Sequence, residues 1–526
     1  MPVASGVVTA PERDRLASLF GALVSSADVA SGFHPEKAIR TAVLATRLAR
    51  THGLGEAEQQ DSYYLALVRF LGCTSFSPEA AQYGGGDDLS VHSVLSFVDP
   101  DEPVQLIGDV LRGVGRRAPS LDRVKGLVRL VGDRSAPRRH AQAECDVGEA
   151  LARQLRISEP IVVALGDMFE RWDGKGYPRG KKGDESALLA RIVIVAEVLE
   201  IAFSRYGIGA AAETARKRSG GRFDPALAST FCQHAPELLT GLATGSVWEL
   251  FLESEPEPRC QVTPALVERY AEAFARAVDL KSVWTATHSY DVGILAAASA
   301  QVAGLDQSSV RELRTAGWLH DLGRVAVPNL IWDKAGPLNE AEREQVRLHA
   351  YVTERLLARS PVLARAAPLA GAVHERCDGS GYPKSLKSAQ LEESARLLAA
   401  CDVFCALREA RPHRPGYGVD AAASILTGEA RRGGLDVAAA RHVLEAAHAA
   451  APRLPAAWPS GLSDREVQVL RLVARGGTNK DVAHALGISA RTVQHHVAHI
   501  YTKIGVTSRA GAALFAAEHG LTAVSR

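Results

Sequence analysis

The chain has 526 residues with 61 Lys and Arg against 60 Asp and Glu, a formal net charge of +1. As a whole it therefore has no electrostatic bias towards nucleic acid or an anionic membrane, and any basic surface must be local. Its seven cysteines are scattered, odd in number and free of any CxxC pair, which excludes a disulfide-stapled scaffold and a thiolate zinc site and suits a reducing cytoplasm.

The opening MPVASGVVTAPERDRLASLF lacks the basic cap and apolar core of a signal peptide. No apolar run reaches the roughly 18 residues that span a bilayer. The expectation is a cytoplasmic protein with no membrane partner. At roughly 100 to 200 residues per domain, this length predicts roughly three to four domains. Composition rich in Ala, Leu, Arg and Glu, with apolar residues recurring at three and four, predicts an all-α fold.

In chain order, residues 1–250 form the first domain. Its segment from about 76 to 140, with YGGGDD and DRSAPRRH, predicts looped connections around one or two short helices and no chemistry. FERWDGKGYPRG (169–180) is then repeated as VHERCDGSGYPKS (373–385), with Tyr177 and Tyr382 standing 205 positions apart. Both copies lead into an apolar run, 188–202 and 394–408, and close on GGRFDPALAST and GGLDVAAARHV. A period this long means duplicated domains rather than a solenoid. The prolines at 256, 258 and 264 mark one boundary, and those at 452, 455 and 459 another, giving a second domain over 263–450 and a tail over 460–526.

The second copy carries His288, the adjacent His320 and Asp321, His349, His374 and Asp402, each beside an apolar stripe that turns it inward. Imidazole mixed with carboxylate suits iron, manganese or another first-row ion, and Asp321 is placed to bridge two ions. Such a centre activates water for attack on a phosphate ester. This ordered set, with HDLGR and HERCDGSGYP, resembles the HD-GYP subgroup of the HD superfamily of metal-dependent phosphohydrolases over about residues 270–445. The resemblance implies tandem HD-type helical domains and metal ligands His288, His320, Asp321, His349, His374 and Asp402. It further implies one or two divalent ions and, in many members, cyclic di-GMP as substrate.

Three positions depart from the family pattern. Val373 stands where HHE is usual, Trp284 where some members have glutamate, and Arg324 where HDxGK has lysine. Asp321 and Arg324 are the expected catalytic residues, with Arg324 a fixed cation directed at phosphate. Asp378, Gly379, Gly381 and Tyr382 form the expected ligand loop, the alternative being a tight turn. The first copy aligns Lys37 with His288, Leu71-Gly72-Cys73 with the LHD triplet, Glu144 with His349, Met168-Phe169 with the HH pair and Glu197 with Asp402. It is expected to be a degenerate copy lacking metal ligands.

From Ser463 the tail reads as short helices, with Ser463 and Glu466 a capping box and Gly476, Gly477 and Gly487 stop signals. In the third, Val493, Val497, Ile500 and Ile504 form a buried stripe opposite a polar face, the plan of a helix-turn-helix. LSDREVQVLRLVARGGTNKDVAHALGISARTVQHHVAHIYTKIGVTSRAGA resembles the LuxR-type DNA-binding domain. Eight cationic residues against four acidic ones give the tail the sign that phosphate contact requires. The resemblance implies backbone contacts from Asn479, Lys480 and Lys503, and base-facing Gln494, His495 and Ala498 with Arg491 on the same face. The joined reading is a homodimeric transcriptional regulator with double-stranded DNA and a nucleotide or cyclic dinucleotide as partners. The alternative is a ligand-sensing transcription factor whose HD domain no longer turns over.

Overall fold

A computed structural model describes residues 15–30, 36–95, 103–243, 245–449 and 458–522. His34, most of the opening segment and linker residues 451–457 lie outside them. Among the described residues every regular element is a helix and none is a strand. Among these residues no helix is long and apolar enough to cross a membrane. The chain divides into two compact units, residues 1–263 with 360–362, and residues 264–359 with 363–526.

Each unit is organised around an early helix whose start is fixed by a buried aspartate. In the first, Asp28 accepts the Ala38 N–H at 3.1 Å and begins Lys37–Thr51. In the second, Asp279 accepts the Ser289 N–H at 3.1 Å and its hydroxyl at 2.7 Å, beginning His288–Val302. Backbone donors at a helix start have no partner within the helix, and these carboxylates satisfy them. Helix His288–Val302 packs against Gln307–Leu319, Glu393–Arg408 and Val437–Ala449, as Lys37–Thr51 packs against Glu56–Val68 and Leu188–Arg218. Gly293 and Gly317 make the first of these crossings close: a Cβ on Gly293 would lie 2.3 Å from Trp318 Cδ1. That approach draws the start of one helix towards the end of the other, where His288 and His320 stand.

The segment from 76 to 140 is more ordered than its composition predicts. It holds Ser77–Tyr83, Asp88–Leu95, Pro103–Gly113 and Ser120–Gly132 before Ala136–Gln154 begins. Gly85, Gly86 and Gly115 sit between these helices at positive φ and act as joints, while VKGLVRLV supplies an apolar recurrence that the loop reading undervalued.

The tail has its own core, built from Val467, Leu470, Val473, Val482, Val493, Ile500, Ala512 and Leu521. Ser463 caps Asp464–Ala474, Thr478 caps Asn479–Leu486 and Ser489 caps Ala490–Ile504, while Gly487 and Gly505 end their helices in the left-handed conformation.

Candidate functional site

In the second unit six side chains converge from five parts of the fold. His288 opens its helix, His320 and Asp321 follow the end of Gln307–Leu319, and His349 lies in Glu340–Leu357. His374 sits in the turn after Ala366–Gly371, and Asp402 lies mid-helix in Glu393–Arg408. His288 Nε2 is 3.2 Å from Asp402 Oδ1 and 3.9 Å from Asp321 Oδ2. His320 Nε2 lies 3.6 Å from Asp321 and 3.7 Å from Asp402. His349 Nε2 is 3.3 Å from Asp321 and 2.8 Å from His374 Nε2, and His374 Nδ1 is 3.4 Å from Asp402 Oδ2. All are buried or nearly so. The ligand atoms fall into two sets, His288–His320–Asp321 and Asp321–His349–His374, in which Asp321 is common.

Partners on the far side of three rings aim these ligands. His320 Nδ1–H donates to the Gly317 carbonyl at 2.7 Å, His349 Nδ1–H donates to the Val346 carbonyl, and His288 Nδ1–H donates to Glu409 at 2.9 Å. Each bond turns Nε2 towards the cluster, the orientation a metal ligand needs. Glu409 had no signal in the sequence, since only the fold brings it to His288.

The electrostatics fit a bound cation. Burial opposes the charge on Asp321, yet His320, His349 and Arg324 hold its carboxyl well below the usual range. Asp402 is likewise held down against burial, by His288 and His374. Burial lowers His374 to about 4 and also lowers His320, keeping both rings neutral. Burial works against charge on His288 too, but Glu409 and Asp402 raise its pKa well above the ordinary value. His320 Nε2 is buried with no hydrogen-bond partner. A buried, unsatisfied acceptor among ionised carboxylates is costly unless a cation fills the space between them, and the donor set suits a first-row divalent ion.

Arg324 is fully buried. Its Nη1 donates to Asp321 Oδ2 at 2.9 Å, Nη2 donates to the Thr285 hydroxyl, and the guanidinium lies 4.8 Å from the Trp332 ring centroid. What it touches is the carboxylate common to both ligand sets. Val373 is buried, and Trp284 is 37% exposed.

The glutamate shared by both long motifs is a loop clamp. Glu375 accepts the N–H groups of Lys384 (2.7 Å) and Leu386 (2.8 Å), and Glu170 accepts those of Arg179 (2.8 Å) and Lys181 (3.0 Å). Loop geometry accounts for both glycines in the second copy: Gly379 has φ +84, and a Cβ on Gly381 would lie 2.3 Å from Arg376 N. Asp378 accepts the Ser380 N–H at 2.8 Å, and the Tyr382 ring stacks on His374 with centroids 4.9 Å apart.

Helix Glu56–Val68 stands where Gln307–Leu319 stands, 251 positions on, so Arg69 and Phe70, and not Gly72 and Cys73 as the sequence alignment had it, occupy the places of His320 and Asp321. In the first unit the corresponding positions hold an ion-pair cluster. Lys37 Nζ lies 2.6 Å from Glu197 Oε1, and Arg69 pairs with the other carboxylate oxygen. Despite burial, Arg69 and Lys37 hold Glu197 down to about 2. Burial, then Glu144, pushes the Cys73 thiol well up, leaving it protonated. At Gly72 a Cβ would lie 2.3 Å from the Glu144 carbonyl oxygen.

In the tail, Arg491, Gln494, His495, Ala498 and Lys480 are exposed. Asn479 Oδ1 accepts from Arg509 at 3.1 Å, and Lys503 is held by Glu466 at 2.7 Å and the Gly461 carbonyl at 3.0 Å.

The HD domain family model matches residues 132–227 and 264–438, more than half of the chain. The chain belongs to the HD-domain family. Residues 460–516 match the model of bacterial regulatory proteins of the luxR family. Among curated proteins, 3'3'-cGAMP-specific phosphodiesterase 3 of Vibrio cholerae is 29% identical over 415 residues, covering 78% of this chain and 90% of that protein. The cyclic di-GMP phosphodiesterase PA4108 of Pseudomonas aeruginosa is 38% identical over 156 residues, covering 29% of this chain and 38% of that one. A crystal structure of a cyclic GMP-AMP specific phosphodiesterase of V. cholerae superposes with a TM-score of 0.57 at 26% identity, covering 84% of this chain and 99% of that one.

Proposed function

We propose that the second HD repeat is a metal-dependent phosphodiesterase acting on a cyclic dinucleotide, and that the tail couples its state to double-stranded DNA in a cytoplasmic, homodimeric transcriptional regulator. The observation carrying the first half is the buried convergence of four imidazoles and two carboxylates, with Asp321 common to both ligand sets. Relatives named as cyclic dinucleotide phosphodiesterases support the substrate class. His288, His320, Asp321 and Asp402 would hold one ion, and Asp321, His349 and His374 a second, with iron or manganese the best match to the donors. Such ions supply charge neutralisation on phosphate and a water of lowered pKa.

The chain's own residues do the rest. Glu409 and the Gly317 and Val346 carbonyls hold three imidazoles with Nε2 turned to the cluster. Arg324 is a positioning residue, keeping Asp321 ionised and oriented through its bond at 2.9 Å. The Tyr382 ring holds the glycine loop against His374, at the edge of the cluster where a dinucleotide would arrive. In the tail, Gln494, His495 and Ala498 with Arg491 would face bases, while Lys480 contacts phosphate. Asn479 and Lys503, also expected at the backbone, would have to exchange their present partners to do so.

A second reading keeps the ligand and drops the turnover. Arg324 already neutralises Asp321, and Val373 offers no ligand, so the site would serve as a sensor. The separating experiment is elemental analysis of anaerobically purified protein alongside turnover of 3'3'-cGAMP, cyclic di-GMP and a generic phosphodiester, with His320→Ala as blank. Bound metal with turnover lost in the blank supports the enzyme. Absence of turnover on all three substrates overturns it.

A further inference from the structure

The first repeat has lost the residues of the second repeat's cluster, yet it brings together another group of metal-ligating side chains. His140 and Glu144 lie one turn apart on Ala136–Gln154, and His92 comes from Asp88–Leu95 in the inserted segment. One ligand atom from each lies within 4.8 Å of the others. We propose that His92, His140 and Glu144 bind a single divalent first-row ion, separate from the site of the second repeat and independent of its chemistry.

The donor set is two imidazoles and one carboxylate. Spacing i, i+4 places two of them on the same helix face, and this trio is a common protein ligand set for zinc and iron(II), with remaining positions left to water. A lone i, i+4 His–Glu pair is ordinary helix chemistry; the pairing of His140 Nε2 with Glu144 Oε1 at 2.9 Å would need no further explanation. The third ligand changes the reading, because His92 belongs to another helix 48 positions earlier. Its ring centroid lies 6.1 Å from that of His140, and its Nε2 is 3.3 Å from the Ser77 hydroxyl. Phe76 and Phe169 flank His140, with ring centroids at 4.8 and 5.3 Å, and shield one side from water. His140 and Glu144 keep only 14% and 11% of their side-chain surface exposed.

Glu144 occupies the position of His349, 205 residues earlier, so the same helix supplies a ligand in both repeats. His140 stands where the second repeat has Gln345, which moves the first repeat's site one turn along the helix. The ion would tie the inserted helices to the helix that follows them. It would thus act as a structural clip, and its binding free energy would add to the stability of that segment.

The test uses the full chain carrying Asp321→Ala and His349→Ala, which removes ligands from the second repeat. Titration with Co(II) and Zn(II), read by the cobalt d–d spectrum and by elemental analysis after gel filtration, should give one retained equivalent. Proteolysis within residues 77–132 should slow when zinc is added. Adding His92→Gln, or separately Glu144→Gln, should abolish both the spectrum and the protection, with circular dichroism verifying that each variant is folded. No retained ion in the background variant, or retention unaltered by both His92→Gln and Glu144→Gln, would overturn the proposal. Turnover by the unmodified second repeat has no bearing on either outcome.

Discussion

The position of His288 in the second repeat is Lys37 in the first, and Asp402 becomes Glu197. The 3.2 Å contact between imidazole and carboxylate becomes a 2.6 Å ion pair between ammonium and carboxylate, reinforced by Arg69. Both repeats thus bury a polar cluster at corresponding places, with Arg69 standing where His320 stands. One cluster leaves the Nε2 of His320 without a hydrogen-bond partner, a place a cation from solution would fill. The other contains its cations as side chains. The comparison teaches that losing a metal site from a packed core needs more than removing ligands, because the remaining carboxylate must be given a partner or it destabilises the fold.

The largest effect should come from removing the carboxylate common to both ligand sets. Asp321→Ala is expected to reduce cyclic dinucleotide hydrolysis to the level of buffer, as read by chromatography of products, while Cys73→Ala in the first repeat leaves turnover unchanged. Next is the ion-pair cluster. Glu197→Gln leaves Lys37 and Arg69 buried without their common partner and should destabilise the first unit by about 3–5 kcal/mol in denaturant unfolding. Asp402→Asn should instead show its main effect as lost metal.

A smaller change tests the aim of one ligand. Glu409→Gln should weaken metal affinity by about 10–100-fold in a Mn(II) titration, because the His288 ring loses its charged anchor. The smallest effects belong to the tail, outside both repeats. Glu466 is held down to about 2, against its burial, by Lys503 and Ser463. Its folded pKa is below its unfolded one, so its stabilisation is complete above the ordinary carboxylate pKa and is lost as pH falls from about 4.5 towards 2. Glu466→Gln should flatten that part of the tail's stability curve in thermal melts taken across this window.

Much of this was legible in the residues. The all-α class followed from a three-and-four apolar recurrence, and the ligand candidates stood in motifs dense enough to be recognised, HDLGR and HERCDGSGYP. Glu409 was not legible, because it lies beyond the last motif and only the packing of helix Glu393–Arg408 against His288–Val302 brings it to His288. Arg324 was visible as a cation, but its direction was not: an interior guanidinium takes the nearest carboxylate, here Asp321. The HAQAE spacing of His140 and Glu144 was open to inspection, while His92 sat in a segment whose glycines and charges read as loop. Long-range partners of this kind are set by packing, which leaves no periodic trace along the chain.

The close approach at Gly72 has a consequence for the history of the duplication. Gly72 stands 251 positions before Gly323, and each glycine presses against the helix that follows it: a Cβ would lie 2.3 Å from the Glu144 carbonyl oxygen at Gly72 and 2.2 Å from the His349 carbonyl oxygen at Gly323. Main chain, unlike the end of a flexible side chain, cannot step aside, so neither position admits a side chain without a retreat of that helix, 19 residues long in the first repeat. The two repeats have therefore exchanged the residues just before this glycine, His320 and Asp321 against Arg69 and Phe70, while the crossing itself was held fixed. Sequences reconstructed for the ancestor of the two repeats should carry glycine at that position.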